Sequence, residues 1–321
     1  MTDRSPEPGQ GNALRSAAVA SPGAVGSVPD APAPGATASA AFERAPRKPM
    51  SAQLKAGLLI TGVIVLLGLL APWISPHPWD TISIKTRFLP PSTTYWLGTD
   101  DYGRDVFSRL LMGTRLSLAM GISATLISLA IGVPIGLAAG YFRGRTDELL
   151  MRGADVLMAV PPIMLGLLVL AVTPPAIWKT AVAVGLVYVP PIARVTRSVT
   201  LSLATEDFIQ AARARAEGPA WILFREILPN AWPALIVEAS LRVTYAILLG
   251  SALSFLGLGA QPPSSDWGLM IAEARAFIDT APWIALSPGI AMCLLVVGIN
   301  LIGDGARERL DPRLKTRTAK G

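Results

Sequence analysis

The sequence predicts an all-α membrane protein with about six transmembrane helices, and two observations carry that expectation. Hydrophobic residues make up 51% and charged residues 16% of the 321-residue chain, too apolar a balance for one soluble domain. Six segments are apolar over roughly the twenty residues that a hydrocarbon core of about 30 Å requires, and lipid admits only elements that satisfy their own backbone hydrogen bonds.

In chain order, residues 1–50 are rich in Ala, Pro and Gly and nearly free of large apolar side chains. Such a segment buries too little surface to offset its ordering entropy, so a disordered tail is expected. The six spans follow: Ala56–Trp73, Leu116–Tyr141, Leu149–Val172, Ala176–Ala193, Ala234–Phe255 and Trp283–Ile302. No small-residue cleavage site follows the first, so it is expected to stay as an anchor. Only Thr173-Pro174-Pro175 divides the third from the fourth, and two prolines in a row break a helix. The domain organisation is thus a tail at 1–50, the first span and its loop at 51–113, a five-helix core at 114–304 and a basic tail at 305–321. Gly132, Gly136 and Gly140, at four-residue spacing, predict close helix packing.

Basic residues near helix ends are retained in the cytoplasm. Placing both termini inside also places Arg143, Arg145, Arg152, Arg194, Arg197, Arg213, Arg215 and Arg225 inside, against five basic residues between Lys85 and Arg115 outside. The net charge of +6 is thereby explained as topology, with no need of a nucleic-acid surface. The single His77 and single Cys293 exclude multi-histidine or thiolate metal sites within the chain; His77 is expected as an ordinary loop residue and Cys293 as packing. No phosphate-binding Gly-x-x-x-x-Gly-Lys-Ser/Thr loop is present, so nucleotide chemistry is not expected here. Nor do the spans carry the stacked carboxylates or histidines of a proton relay, which would mark an ATP-independent secondary transporter, the competing reading that hydropathy alone also fits. Glu238 and Arg242, four residues apart in the fifth span, share a helix face; they read either as a structural pair or as part of a substrate path.

The connection at about 197–232 holds a helix start at Thr205-Glu206-Asp207, apolar Phe208, Ile209, Ala211 and Ala212, a break at Gly218-Pro219, and a second short helix from Trp221 to Leu228 ending at Pro229. By composition it suits either an interfacial helix pair or a docking knob. The segment from Gln210-Ala211-Ala212 to Ile227-Leu228-Pro229-Asn230 resembles the EAA loop by which binding-protein-dependent ABC importer permeases dock on their ATPase. Three further stretches resemble the C-type permeases of dipeptide, oligopeptide and nickel importers. They are Trp96-Leu97-Gly98-Thr99-Asp100-Asp101-Tyr102-Gly103-Arg104-Asp105-Val106-Phe107-Ser108-Arg109, Ser254-Phe255-Leu256-Gly257 through Trp267-Gly268, and Gly303-Asp304 with Leu310-Asp311-Pro312-Arg313. The match runs from about Met50 to Leu314. Two positions depart from the family pattern: Gln210 stands for the naming glutamate, and Ala216 stands where glycine is usual, with Gly218 two places on.

The resemblance implies a type I importer permease in a bacterial cytoplasmic membrane, moving di- or oligopeptides, or nickel chelates or glutathione-like molecules, by alternating access. It also implies a second homologous permease, two ATPase subunits holding ATP and Mg, a solute-binding protein, and no catalytic or metal site in this chain. The residues it assigns to ATPase coupling are Glu206, Gln210, Ala211, Ala212, Ala216, Gly218, Leu228 and Pro229. Gln261, Asp266, Trp267 and Glu273 are expected to meet the binding protein. The Gly-Thr-Asp and Gly-Arg-Asp cluster is read as a hydrogen-bonded turn, with Arg104 and Asp105 fixing its shape.

Overall fold

The computed structural model describes residues 50–310, Thr173 excepted, so all but the last residue of the tail expected at 1–50, and the Asp311-Pro312-Arg313 motif, lie outside the described residues. Helix α1 (Ala52–Ile74) starts at Ser51, whose hydroxyl accepts from the Leu54 amide at 3.3 Å. A loop follows, and α2 (Val106–Phe142) begins ten residues earlier than its apolar run suggests. The reason is a cap: the Asp105 carboxylate accepts from the amides of Phe107 and Ser108 at 3.3 and 3.2 Å, so the helix starts at the acid. At about 1.5 Å per residue, 37 residues reach roughly 55 Å, well beyond the hydrocarbon core.

The third expected span is two helices, α3 (Gly144–Met158) and α4 (Pro162–Ala171), bent by 88° where Pro161 and Pro162 interrupt the backbone ladder. The break expected at Pro174-Pro175 is present before α5 (Ile177–Val187). The fourth span does not stop at Ala193; it continues through Tyr188 into α6 (Val189–Leu203), carrying Arg194 and Arg197 on helix instead of loop. Pro190 and Pro191 sit in the first turn of α6, where missing amides leave no bond unmade.

Helix α7 (Asp207–Ala214) is the one separate helix of the next connection. The second short helix expected to end at Pro229 is instead the start of an unbroken helical run, Pro219–Phe255, comprising a turn at Pro219–Trp221, a π-helical stretch Ile222–Ile227 and α8 (Leu228–Phe255). The ring of Pro229 would clash with the carbonyl of Arg225 in a regular α-helix, and the widened π turn at that point relieves the conflict. Helix α9 (Trp267–Ala274) is a short hairpin element, and α10 (Trp283–Leu310) runs on through residues 305–310, which were expected to be tail.

Five described helical runs are long and apolar enough to cross a membrane, and the bent α3–α4 pair makes a sixth. Helix α2 is the spine. Its Gly132, Gly136 and Gly140 admit the backbone and β-carbons of α6 so closely that a Cβ on Gly136 would lie 2.4 Å from the Ala193 carbonyl oxygen. Three apolar clusters are strung along the bundle. One, around Trp267 and Ile247, lies toward the end carrying the Asp100 loop, one around Tyr188 and Leu253 in the middle, and one around Ile209 and Ile227 at the end carrying α7.

Candidate functional site

At the α7 end, eight residues form an amphipathic knob. Ile209 and Ala212, both 0% exposed, pack against Leu137 of α2 and against Ile222, Leu223 and Ile227 of the π stretch, with Leu228 at the edge. The opposite face, Glu206, Gln210 and Ala211, is exposed, as are Gly218 and Pro229. Ala212, expected to touch a partner, is therefore an inward contact that seats the knob; on a helix of period 3.6 it lies beside Ile209, not beside Gln210.

The end of α7 explains the unusual alanine. The amide of Glu217 donates to the Ala212 carbonyl at 3.2 Å and the amide of Ala216 to the Arg213 carbonyl at 2.9 Å, a Schellman pair. That closure puts Ala216 at φ +57°, the left-handed position where glycine carries no Cβ penalty. Gly218, by contrast, has φ −69° and open space around it, so it is not the displaced glycine of the pattern. Pro229 ends nothing.

Midway along α8, Arg242 donates to the Glu238 carboxylate from Nε at 2.6 Å and from Nη2 at 2.5 Å. Its guanidinium carbon also lies 5.5 and 5.4 Å from the ring centres of Tyr188 and Tyr245, and the Tyr188 hydroxyl donates to the Tyr245 carbonyl at 3.2 Å. The pair was legible from its spacing. Tyr245, three residues on from Arg242, shares that helix face; Tyr188 was not legible, because it lies on the α5–α6 break, more than fifty residues away in sequence.

At the other end, Asp100 accepts from the amides of Tyr102 and Arg104, each at 2.9 Å, from Arg104 Nε at 2.7 Å and from Arg109 Nη1 at 2.6 Å. Glu273 on α9 accepts from Arg104 Nη2 at 3.1 Å and Arg109 Nη2 at 3.0 Å; the latter also donates to the Ser264 carbonyl. The turn expected here is thus one half of a buried four-charge clasp joining the loop to α9. Burial, with the neighbouring Asp100 and Glu273 carboxylates, pushes the Asp101 carboxyl above its ordinary range. His77 is more than an ordinary loop residue: its ring stacks on Tyr95 at 4.8 Å, and its Nδ1 stands 3.6 Å from Asp105 Oδ2. Cys293, expected to pack, is exposed on α10.

Of the four residues expected to face a binding protein, only Gln261 is exposed. Trp267 is fully buried and its Nε1 donates to the Leu110 carbonyl at 3.1 Å. Asp266 caps α9, accepting from the Leu269 amide at 3.2 Å, and burial pushes its carboxyl upward despite that bond. Glu273 is taken up by the clasp. Position in an outer loop does not separate an amphipathic surface from a capped, inward-packed hairpin.

Residues 132–316 match the family described as binding-protein-dependent transport system inner membrane component. The chain is 41% identical over 260 residues to the dipeptide transport system permease protein of Alkalihalophilus pseudofirmus, covering 81% of this chain and 86% of that one. It is 40% identical over 265 residues to the di/tripeptide transport system permease of Pseudomonas aeruginosa, covering 81% and 88%. It is 41% identical over 262 residues to the glutathione transport system permease of Pectobacterium atrosepticum, covering 81% and 87%. Among solved structures, a chain of the MetNI methionine ABC transporter in an inward-facing conformation superposes with a TM-score of 0.56 at 19% identity, over 64% of this chain and 97% of that one, which is a likeness of fold.

Proposed function

The chain belongs to the inner membrane components of binding-protein-dependent transport systems, and from that premise we propose that it moves short peptides by alternating access driven from its α7 knob. It is a multi-pass membrane permease, and its family works with ATPase partners and a second permease. The cargo proposed is a short peptide, the class that embraces the dipeptide, di/tripeptide and glutathione named for its relatives. ATP and Mg are held by the partner ATPases, which hydrolyse the nucleotide. A solute-binding protein delivers the peptide to the Asp100 end, and both termini lie in the cytoplasm with α7.

One observation carries the proposal: the exposed Gln210–Ala211 face sits on a knob whose inner face is packed directly onto the head of a 37-residue helical run. Movement of α7 by a partner is passed through Ile209 and Ala212 to Ile222, Leu223 and Ile227, and along unbroken helix to Glu238 and Arg242 inside the membrane. A helix interrupted at Pro229 would lose that stiffness. The Glu238–Arg242 pair, bonded within itself and flanked by two tyrosines, stiffens the lever where a lone charge would be costly. Coupling requires that the ATPase grip the knob differently in its two states, because equal affinity shifts no equilibrium.

Ala211→Trp tests the docking role. Uptake of a labelled dipeptide by the reconstituted complex should collapse while the subunits still copurify; wild-type uptake would refute docking at this face. Affinity purification from native membranes should recover a second permease and ATPase subunits, and recovery of this chain alone would overturn the importer assignment.

A further inference from the structure

A cavity of about 460 Å³ opens at the Asp100 end of α2, lined by Trp79, Met112, Arg115, Leu116, Ala119, Ser264 and Ser265. Three of these residues are left with unused polar groups. Arg115 is exposed and makes no ion pair or side-chain hydrogen bond among the described residues, in contrast to Arg104 and Arg109 just before it. The hydroxyls of Ser264 and Ser265 are buried without a partner, and Ser265 is only 1% exposed. Buried hydroxyls in native proteins are normally satisfied, so two beside one cavity call for a partner that the described residues do not supply.

The position of Arg115 along α2 says what lies there. The 28 residue steps from Arg115 to Arg143, which caps the far end of the helix, cover roughly 42 Å at about 1.5 Å each, the thickness of a bilayer with its headgroups. The two arginines therefore mark the two interfaces, and Trp79 stands at the same level as Arg115, where aromatic rings are enriched. Below Arg115, Ala119, Ile122 and Leu126 repeat at helical spacing and are all exposed, so the track from the level of Arg115 down to Leu126 is about 16 Å long, half the hydrocarbon core. A cation with spare donors at headgroup depth, above an apolar track one leaflet long, is complementary to a phospholipid.

We propose that this cavity is a binding site for an anionic phospholipid, with Arg115 on its phosphate, Ser264 and Ser265 as the adjoining hydroxyl donors, and an acyl chain along Ala119, Ile122 and Leu126. An anionic headgroup is selected over a zwitterionic one because the latter brings its own cation to a site that already has one. The site is independent of the cargo and of the coupling knob.

Native mass spectrometry of the assembled importer, titrated with phosphatidylglycerol and with phosphatidylcholine of the same chains, tests it. The phosphatidylglycerol adduct should persist at lower lipid than the phosphatidylcholine adduct and weaken about fivefold in Arg115→Gln. It should survive in Arg115→Lys and in Lys85→Gln, whose charge lies on the exposed loop. Equal retention of the two lipids, or an adduct unaffected by Arg115→Gln, overturns the proposal. So does displacement of phosphatidylglycerol by a transported dipeptide, which would make the site one for the cargo carboxylate. Should Arg115→Gln fail to assemble, a photocrosslinker replacing Ala119 decides: a lipid-sized mass increment supports the site, and attachment to the second permease overturns it.

Discussion

The two ends of the bundle are written in similar residues and built on opposite principles. At the Asp100 end, Asp100, Arg104 and Arg109 are buried and closed on one another and on the partly buried Glu273, and Trp267 and Asp266 are buried with them. At the α7 end, Arg213, Arg215 and Arg225 remain exposed; Arg215 pairs with Glu217 on the surface, and the knob is seated by two small apolar contacts. Buried charges hold a shape because breaking one strands the others, whereas exposed charges leave a surface free to bind. The first end is a clasp and the second an exposed face on a packed knob.

The sharpest way to break this comparison is to remove one member of the clasp. Arg109→Met leaves Asp100 and Glu273 short of a partner in a buried site and should destabilise the protein by about 3–5 kcal/mol, read as a fall in the thermal unfolding midpoint in detergent. Arg215→Met at the exposed end should barely move that midpoint, and comparable shifts in the two variants would dissolve the distinction.

A second comparison uses glycine. A Cβ on Gly113 would lie 2.2 Å from the Ser265 carbonyl oxygen and 2.8 Å from Trp267 Cδ1, so Gly113→Ala should cost about 1–3 kcal/mol in the same measurement. Gly218→Ala meets open space and a φ of −69°, so it should be neutral or slightly stabilising. The smallest effect is the most local. Ala216→Gly removes a Cβ from a left-handed residue and should stabilise the cap of α7 by about 1 kcal/mol, seen as slower proteolysis between residues 204 and 218. No change there would mean that the Schellman closure carries no strain.

Much of the fold was legible, and the misses share a cause. Apolar runs located each crossing, and Gly132, Gly136 and Gly140 correctly signalled a tight helix contact. Hydropathy cannot see where a polar helix continues beyond the bilayer, so the first turns of α2 and the last turns of α6 read as loop in the sequence. Proline was overread as a stop at Pro229, because a π turn upstream lets the helix pass. In the region proposed for coupling, the resemblance does not separate Ala212, which faces inward, from Ala211, which faces out; only packing does.

By itself, the sequence determined that this chain crosses a membrane about six times, where most of those crossings lie, and that Glu238 and Arg242 meet, because each of these follows from composition or from contacts within one helical turn. Tertiary structure alone decided that Glu273 closes on Arg104 and Arg109, more than 160 residues away, and that Asp266 and Trp267 point inward. It alone left Arg115 without a partner among the described residues, beside an open cavity. Whether a charge is clasped or offered depends on the neighbours that folding brings from distant parts of the chain, and no local pattern encodes them.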